Sequence, residues 1–143
     1  MEVLQRITRR QLETLQAISR RDAGTRGVAL NDIAAALRVR PPSALAHLGP
    51  LEEFGLVQRY RGKTRVTARG QGCLEEYRRH HRVAESLFSR AGLSPESTCV
   101  AAREVDMALS HRTVEEICRS EGHPSLCPHG EPIPPCAGAR GKR

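Results

Sequence analysis

The sequence predicts a mainly helical chain: a compact helical unit closed by a β-hairpin, then a second helical half. Three observations carry this. Apolar residues recur at helical spacing through successive stretches. One segment, "LVQRYRGKTRVTARG", breaks that pattern with two β-type runs around a tight turn. Aromatic residues are only 3% of 143, with no Trp, so the core must be Leu, Val, Ile and Ala, which suits small packed helices.

The elements follow in order. "ITRRQLETLQAISR", residues 7–20, sets Ile7, Leu12, Leu15 and Ile18 near helical spacing, with Thr8 as N-cap. "RDAGTRG" ends that helix. Asn31 is the expected cap of a second helix whose apolar face is Ile33, Ala34 and Leu37. Pro41-Pro42-Ser43 opens a third, because proline is tolerated in a first turn. Leu45, Leu48, Leu51 and Phe54 are its expected buried stripe, and Gly55 its end. Pro50 removes a hydrogen bond inside it, at a cost of roughly 3 kcal/mol in a straight helix, so a kink or break is expected near Gly49.

"LVQRY" and "TRVT" then read as strands around Arg61-Gly62-Lys63. A long helix over about 69–91 turns Leu74, Tyr77, Val83, Leu87 and Phe88 inward. "GLSPES" is a loop, a helix over about 96–109 follows, and Ser110 caps another over about 111–121 with Val114, Ile117 and Cys118 inward. From His123 the chain is rich in Pro, Gly, Cys and His and reads as ordered loop. Residues 137–143, "AGARGKR", read as a disordered tail. The expected domains are 1–68 and 69–136.

Helix, helix, turn, helix, hairpin is the order of a winged helix-turn-helix, which points to duplex DNA as partner. A helix fits the major groove, and its N-terminus offers N–H groups to phosphate. Arg38, Arg40, Pro42, Ser43, Ala46 and His47 lie where such a helix meets DNA. Arg59, Arg61, Lys63 and Arg65 lie on the hairpin, in reach of the adjacent backbone. The charge agrees: 23 Lys and Arg against 16 acidic residues give +7, with arginines dense from Arg6 to Arg40. A solvated arginine-rich surface and a protein-binding winged helix are the plainer alternatives, which the basic turn and wing argue against. No apolar run approaches the roughly 20 residues of a membrane span, and no signal-peptide pattern opens the chain. A cytoplasmic protein with its five cysteines reduced is therefore expected.

On "DIAAALRVRPPSALAHL", "GLVQRYRGKTRVTARG", "RRHHRVAESLF" and "CPHGEPIP" the chain resembles the diphtheria-toxin-repressor and manganese-regulator family of metal-dependent transcriptional repressors. The likeness runs from about Ile7 to Pro134 and is to the short, two-domain type. It implies a winged DNA-binding domain followed by a helical dimerisation domain. It also implies a homodimer on a palindromic operator, and Fe2+ or Mn2+ as the ion that sets the spacing of the two recognition helices.

The resemblance matches His81 and Glu85, four apart on one helix, to the family's His and Glu of one metal site, with Cys99 where the family often has His. A thiolate ligand favours softer ions, so Zn2+ is a further option. The other family site aligns with Arg10, Arg103, Asp106 and Met107. Asp106 and Met107 can bind a metal, whereas the arginines can only substitute for one, by pairing with Asp106 or Glu85. Cys118, His123, Cys127, His129 and Cys136 form a further Cys/His cluster near the C-terminus, without a C-x-x-C. It supports an alternative reading as a metal-independent, or zinc- or redox-responsive, DNA-binding regulator. A small hydrolase using His80, His81, Glu85 and Cys99 is remote. The chain has no Gly-rich phosphate loop, no H-E-x-x-H and no nucleophile elbow, and a non-enzyme is expected.

Overall fold

The computed structural model describes residues 2–22 and 26–136. The expected disordered tail, 137–143, lies outside the described residues. The chain divides into two compact units, Arg6–Leu74, and Met1–Gln5 with Glu75–Arg143. The first is a winged helix-turn-helix and the second is helical. No helix among the described residues is long and apolar enough to cross a membrane.

In the winged unit, α2 (Arg9–Arg21) follows a single helical turn, α1 (Val3–Arg6), that the sequence pattern does not signal. Thr8 closes a capping box: its side chain accepts from the Gln11 N–H, and the Gln11 side chain accepts from the Thr8 N–H. A two-residue strand, β1 (Val28–Ala29), leads directly into α3 (Leu30–Leu37). Asn31 is therefore not the cap. Pairing of Val28 and Ala29 with the hairpin holds Ala29 extended at the N-cap, and Asn31 falls inside the first turn, exposed.

α4 (Pro41–Glu53) starts on its two prolines and runs unbroken through Pro50, so the expected break near Gly49 does not occur. One missing N–H does not end a helix whose neighbouring turns are packed. Its buried face is Ala44, Leu48 and Leu51, while Leu45 is 43% exposed and sits beside the stripe rather than in it. The helix ends in a Schellman motif. Gly55, at φ +69°, donates to the Glu52 carbonyl, and Leu56 donates to the Leu51 carbonyl. Leu51 and Leu56 are both fully buried, which is the apolar contact that accompanies this cap.

β2 (Val57–Tyr60) and β3 (Lys63–Val66) pair antiparallel with Tyr60 opposite Lys63, so the turn is the two residues Arg61 and Gly62, and Lys63 already belongs to the strand. Both turn residues have positive φ, +49° and +73°, as a hairpin turn matched to strand twist requires. β1 adds to the far side of β3, giving the order β1-β3-β2. Leu12, Leu15, Ile18, Ile33, Leu48, Leu51 and Leu56 fill the core beneath.

α5 (Ala68–Arg90) begins in the winged unit, and the division between units falls inside it, after Leu74. The reason is its first turns. Thr67 donates to the Leu56 carbonyl through its N–H and to the Gly55 carbonyl through its hydroxyl. Gly70 packs so closely that a Cβ there would meet the Leu56 carbonyl oxygen at 2.1 Å. In the second unit, α6 (Pro95–Val105) and α7 (His111–Ser120) are capped by Ser94 and Ser110. Val83, Val114, Cys118, Cys127, Ile133 and Cys136 form its apolar core, while Leu87 and Phe88 are half-buried. The N-terminal residues belong here too: Gln5 donates to the Ala108 carbonyl, and the Glu2 carboxylate accepts from the His111 N–H at the start of α7.

Two glycines of α5 should respond oppositely to alanine. Gly70→Ala forces the helix off Leu56 and should destabilise by about 1–3 kcal/mol, the usual cost of overpacking. Gly72→Ala meets nothing within 4 Å and should stabilise by up to about 1 kcal/mol. Urea unfolding midpoints measure both.

Candidate functional site

The helix-turn-helix turn is made by Arg38, Val39 and Arg40. Arg38 takes a left-handed conformation, φ +54°, and so ends α3, and Arg40 is the extended N-cap of α4. Arg40 makes no side-chain cap, and none is needed: Pro41 and Pro42 have no N–H, and the N–H groups of Ser43 and Ala44 both donate to the Arg40 carbonyl, so this helix start offers exposed side chains rather than free amides. Arg38, Arg40, Pro42, Ser43 and Ala46 are exposed. His47 is half-buried, with Nδ1 3.3 Å from the hydroxyl of the fully buried Thr14 on α2, so one edge of its ring is committed to the fold.

The hairpin carries the other predicted cations, all exposed. Arg59 is 3.6 Å from Glu52, and Arg65 is 3.8 Å from Asp22. Arg61 lies over the ring of Tyr60, 5.1 Å from its centre, and Tyr60 is itself 68% exposed. Leu45, Tyr60, Arg61 and Lys63 line an open groove between α4 and the hairpin. Arg38, Arg40, Arg61 and Lys63 have no acidic partner among the described residues. Positive potential on this face is thus carried mainly by the turn and the wing tip.

The second unit gathers its donors around one carboxylate. Glu85 is 4% exposed, and its Oε1 lies 3.2 Å from His81 Nε2 and 3.1 Å from His129 Nδ1. Cys99 Sγ lies 3.7 Å from the same His81 nitrogen. Donor atoms of His81, Glu85 and Cys99 all fall within 4.8 Å of one another, and so do those of Glu85, Cys127 and His129. His81 and Glu85 meet because they are one helical turn apart on α5. The "CPHGEP" turn, closed by Gly130 N–H on the Cys127 carbonyl and Cys127 N–H on the Glu131 carbonyl, brings His129 in.

Asp106 is not in either grouping. It is fully buried behind the His81 ring, with Oδ2 2.9 Å from Nδ1. It accepts the Nδ1 proton, which leaves the Nε2 lone pair turned towards Glu85 and Cys99, the arrangement that orients histidine ligands of metals. The expectation that Asp106 ligates directly is replaced by this orienting role, because its residue ends α6 on the far side of the ring. Met107 is half-buried in the turn that follows. Arg10 forms its ion pair with Glu13 one turn along α2, at 3.1 Å, and Arg103 is exposed on α6.

The donor set suits a divalent cation. A lone pair of a neutral His81 facing a buried carboxylate is unfavourable unless a proton or a cation sits between them. Burial, then the adjacent Glu85 carboxylate, pushes the Cys99 thiol up, so it holds its proton until a cation displaces it. Imidazole, carboxylate and thiolate together fit a borderline transition-metal ion.

The five-residue Cys/His cluster expected from the sequence is divided in the fold. Cys127 and His129 join Glu85, whereas Cys118, His123 and Cys136 form a separate group. Sequence spacing could not separate them, because the division depends on the path of the loop after α7. A fourth grouping, Glu76, His80 and His111, was missed altogether. His80 is completely buried, and its Nε2 has no hydrogen-bond partner. Burial lowers the His80 pKa, and burial followed by the neighbouring Glu2 carboxylate raises that of Glu76. The only signal in the sequence was the i,i+4 spacing of Glu76 and His80.

Residues 67–135 match the family "Iron dependent repressor, metal binding and dimerisation domain". No curated protein matches the chain. Among solved structures, a hypothetical protein of Sulfolobus solfataricus is similar at 29% identity over 90% of this chain and 99% of that one, with a TM-score of 0.85. IdeR of T. acidophilum is similar at 26% identity over 90% of this chain, with a TM-score of 0.61. A manganese-dependent transcriptional repressor in complex with manganese is similar at 25% identity over 91% of this chain, with a TM-score of 0.67. This chain spans 60% of the length of each of the latter two.

Asp106→Asn should weaken Zn2+ or Mn2+ binding by about 10–100-fold, the usual cost of losing a group that orients a ligand, and Glu85→Gln should cost more. Isothermal titration of the full chain measures both. Equal affinity in the wild type and Glu85→Gln would remove this grouping as a metal site.

Proposed function

We propose, from the match of residues 67–135 to the iron dependent repressor metal binding and dimerisation domain, that the chain is a homodimeric transcriptional regulator that binds a palindromic operator in response to a divalent metal ion. One observation carries the reading. α5 leaves the hairpin of a basic winged unit and, along the same helix, carries His81 and Glu85. The start of α5 belongs to the winged unit, and His81 and Glu85 follow on the same helix in the second unit.

The chain's own residues divide the work. The N-terminal turns of α4 present the exposed Ser43 and Ala46 to the major groove. Arg38 and Arg40 flank that entry. Arg61 and Lys63 at the wing tip, with Arg59 and Arg65 behind them, neutralise the neighbouring backbone. Two copies related by a two-fold axis read two half-sites, so the operator is palindromic and its half-site spacing is set by the dimer.

In the second unit, His81, Glu85 and Cys99 would hold the ion, with His129 on the same carboxylate and Asp106 orienting the His81 ring. A cation there would supply positive charge opposite the buried Glu85 carboxylate and favour one arrangement of these donors. It favours DNA binding only to the extent that it binds the DNA-competent arrangement better than the other. Fe2+ and Mn2+ are the ions the family implies, and manganese is bound in one of the similar structures. The thiol of Cys99 adds Zn2+ as a third candidate.

Arg40→Ala and Arg61→Ala should each weaken duplex binding and flatten its salt dependence, because each removes a phosphate-facing cation. Fluorescence anisotropy at several salt concentrations measures this, and unchanged affinity in both variants would remove the assigned face. The His81→Ala, Glu85→Ala double variant should bind DNA equally with and without added metal, while the wild type gains affinity. A wild type indifferent to metal and chelator alike would end the metal-responsive part of the proposal.

A further inference from the structure

Three donors in the second unit lie outside the grouping around Glu85. Cys118 is on the last turn of α7, His123 follows the end of that helix, and Cys136 is the last described residue. They are drawn together by how α7 stops. Gly122, at φ +74°, donates to the Arg119 carbonyl, and His123 donates to the Cys118 carbonyl at 2.8 Å. This is a Schellman cap, which lays the residue after the glycine back over the third residue from the helix end. That pair is ordinarily apolar, as Leu51 and Leu56 are at the end of α4. Here it is a histidine over a cysteine. His123 also accepts a left-handed backbone, φ +56°, that few residues other than glycine adopt.

The geometry suits a thiophilic cation. Both cysteine sulfurs converge on one nitrogen: His123 Nδ1 is 3.7 Å from Cys118 Sγ and 3.3 Å from Cys136 Sγ. For a tetrahedral zinc with Zn–S about 2.3 Å and Zn–N about 2.0–2.1 Å, the sulfur-to-nitrogen edge is about 3.6 Å, and the two separations bracket it. One ring nitrogen has a single lone pair or a single proton, so it cannot satisfy both sulfurs by hydrogen bonding alone. The cysteines are 3% and 2% exposed. His123 is exposed, which gives an ion a way in and leaves the fourth corner to water.

We propose that Cys118, His123 and Cys136 form a zinc site, distinct from the grouping around Glu85, that fastens the C-terminal segment to the end of α7. That segment is held by an isolated bridge between Leu126 and Pro132, the Ile133 N–H on the Ser125 carbonyl, the apolar contacts of Ile133, Arg82 on the Pro132 carbonyl and on Glu131, and His129 on Glu85. A metal closing the loop from Cys118 to Cys136 adds a fastening at the end of α7, beyond the last of these contacts.

The test uses the full chain, purified without chelator and reloaded with Co2+ as a spectroscopic stand-in for Zn2+. The Cys99→Ser, Cys127→Ser double variant, which removes the thiols of the grouping around Glu85, should still show thiolate-to-cobalt charge-transfer absorption that Zn2+ displaces. Adding Cys136→Ser or His123→Ala to that background should abolish it, with affinity down by more than about 100-fold, since even orienting groups cost about 10–100-fold. His123 is exposed, so its variant should keep the wild-type circular dichroism and separate ligand loss from unfolding. Absorption absent from the Cys99→Ser, Cys127→Ser background, or retained when His123→Ala is added to it, overturns the proposal. So does a Cys118–Cys136 disulfide in the freshly purified protein.

Discussion

A carboxylate taken almost completely out of water must be compensated, and Glu85 is such a carboxylate. An ionised group of this kind costs several kcal/mol to bury, of order, unless charge and hydrogen bonds are returned to it. The second unit is arranged to return them. His81 approaches from the same helix, Cys99 from α6 and His129 from the turn near the C-terminus. Asp106, itself fully buried, holds His81 from behind and so decides which ring nitrogen faces Glu85. Protons can satisfy this constellation, and so can a divalent ion. A site with two such solutions is one that an ion can bias.

The winged unit solves a different problem. Its core is filled by aliphatic side chains, and the ends of its elements are set by backbone devices: a capping box at Thr8, a Schellman cap at Gly55 and a two-residue turn at Arg61 and Gly62. Each fixes where a basic side chain leaves the surface. The turn residues Arg38 and Arg61 both adopt positive φ, a conformation more often left to glycine or asparagine. Both cations sit exposed in turns of the winged unit. The close approach of Gly70 to the Leu56 carbonyl then anchors the start of α5 to the hairpin. The helix that carries His81 and Glu85 is rooted there.

Helix starts and ends, the hairpin and the His81–Glu85 pair were legible in the chain because each depends on residues no more than four apart. Thr8, Ser110, Gly55 and the Arg61-Gly62 turn announce themselves by local chemistry. Where local reading failed, a partner distant in sequence had intervened. Asn31 lost the cap to Ala29 because β1 pairs with β3, and Pro50 was carried through α4 because the turns around it are packed. Leu45 was placed in the buried stripe on spacing alone, yet it faces the groove beside the hairpin.

The amino-acid sequence by itself determined the order of elements, the basic turn and wing, and the identity of the donor side chains, since periodicity, turn chemistry and charge act over a few residues. Only the tertiary structure decided which donors meet. It set Asp106 behind His81, delivered His129 to Glu85, and split the C-terminal cysteines and histidines between two groups. It also tied Glu2 to the start of α7. Those pairings depend on the path of loops between packed helices, and spacing along the chain does not encode that path.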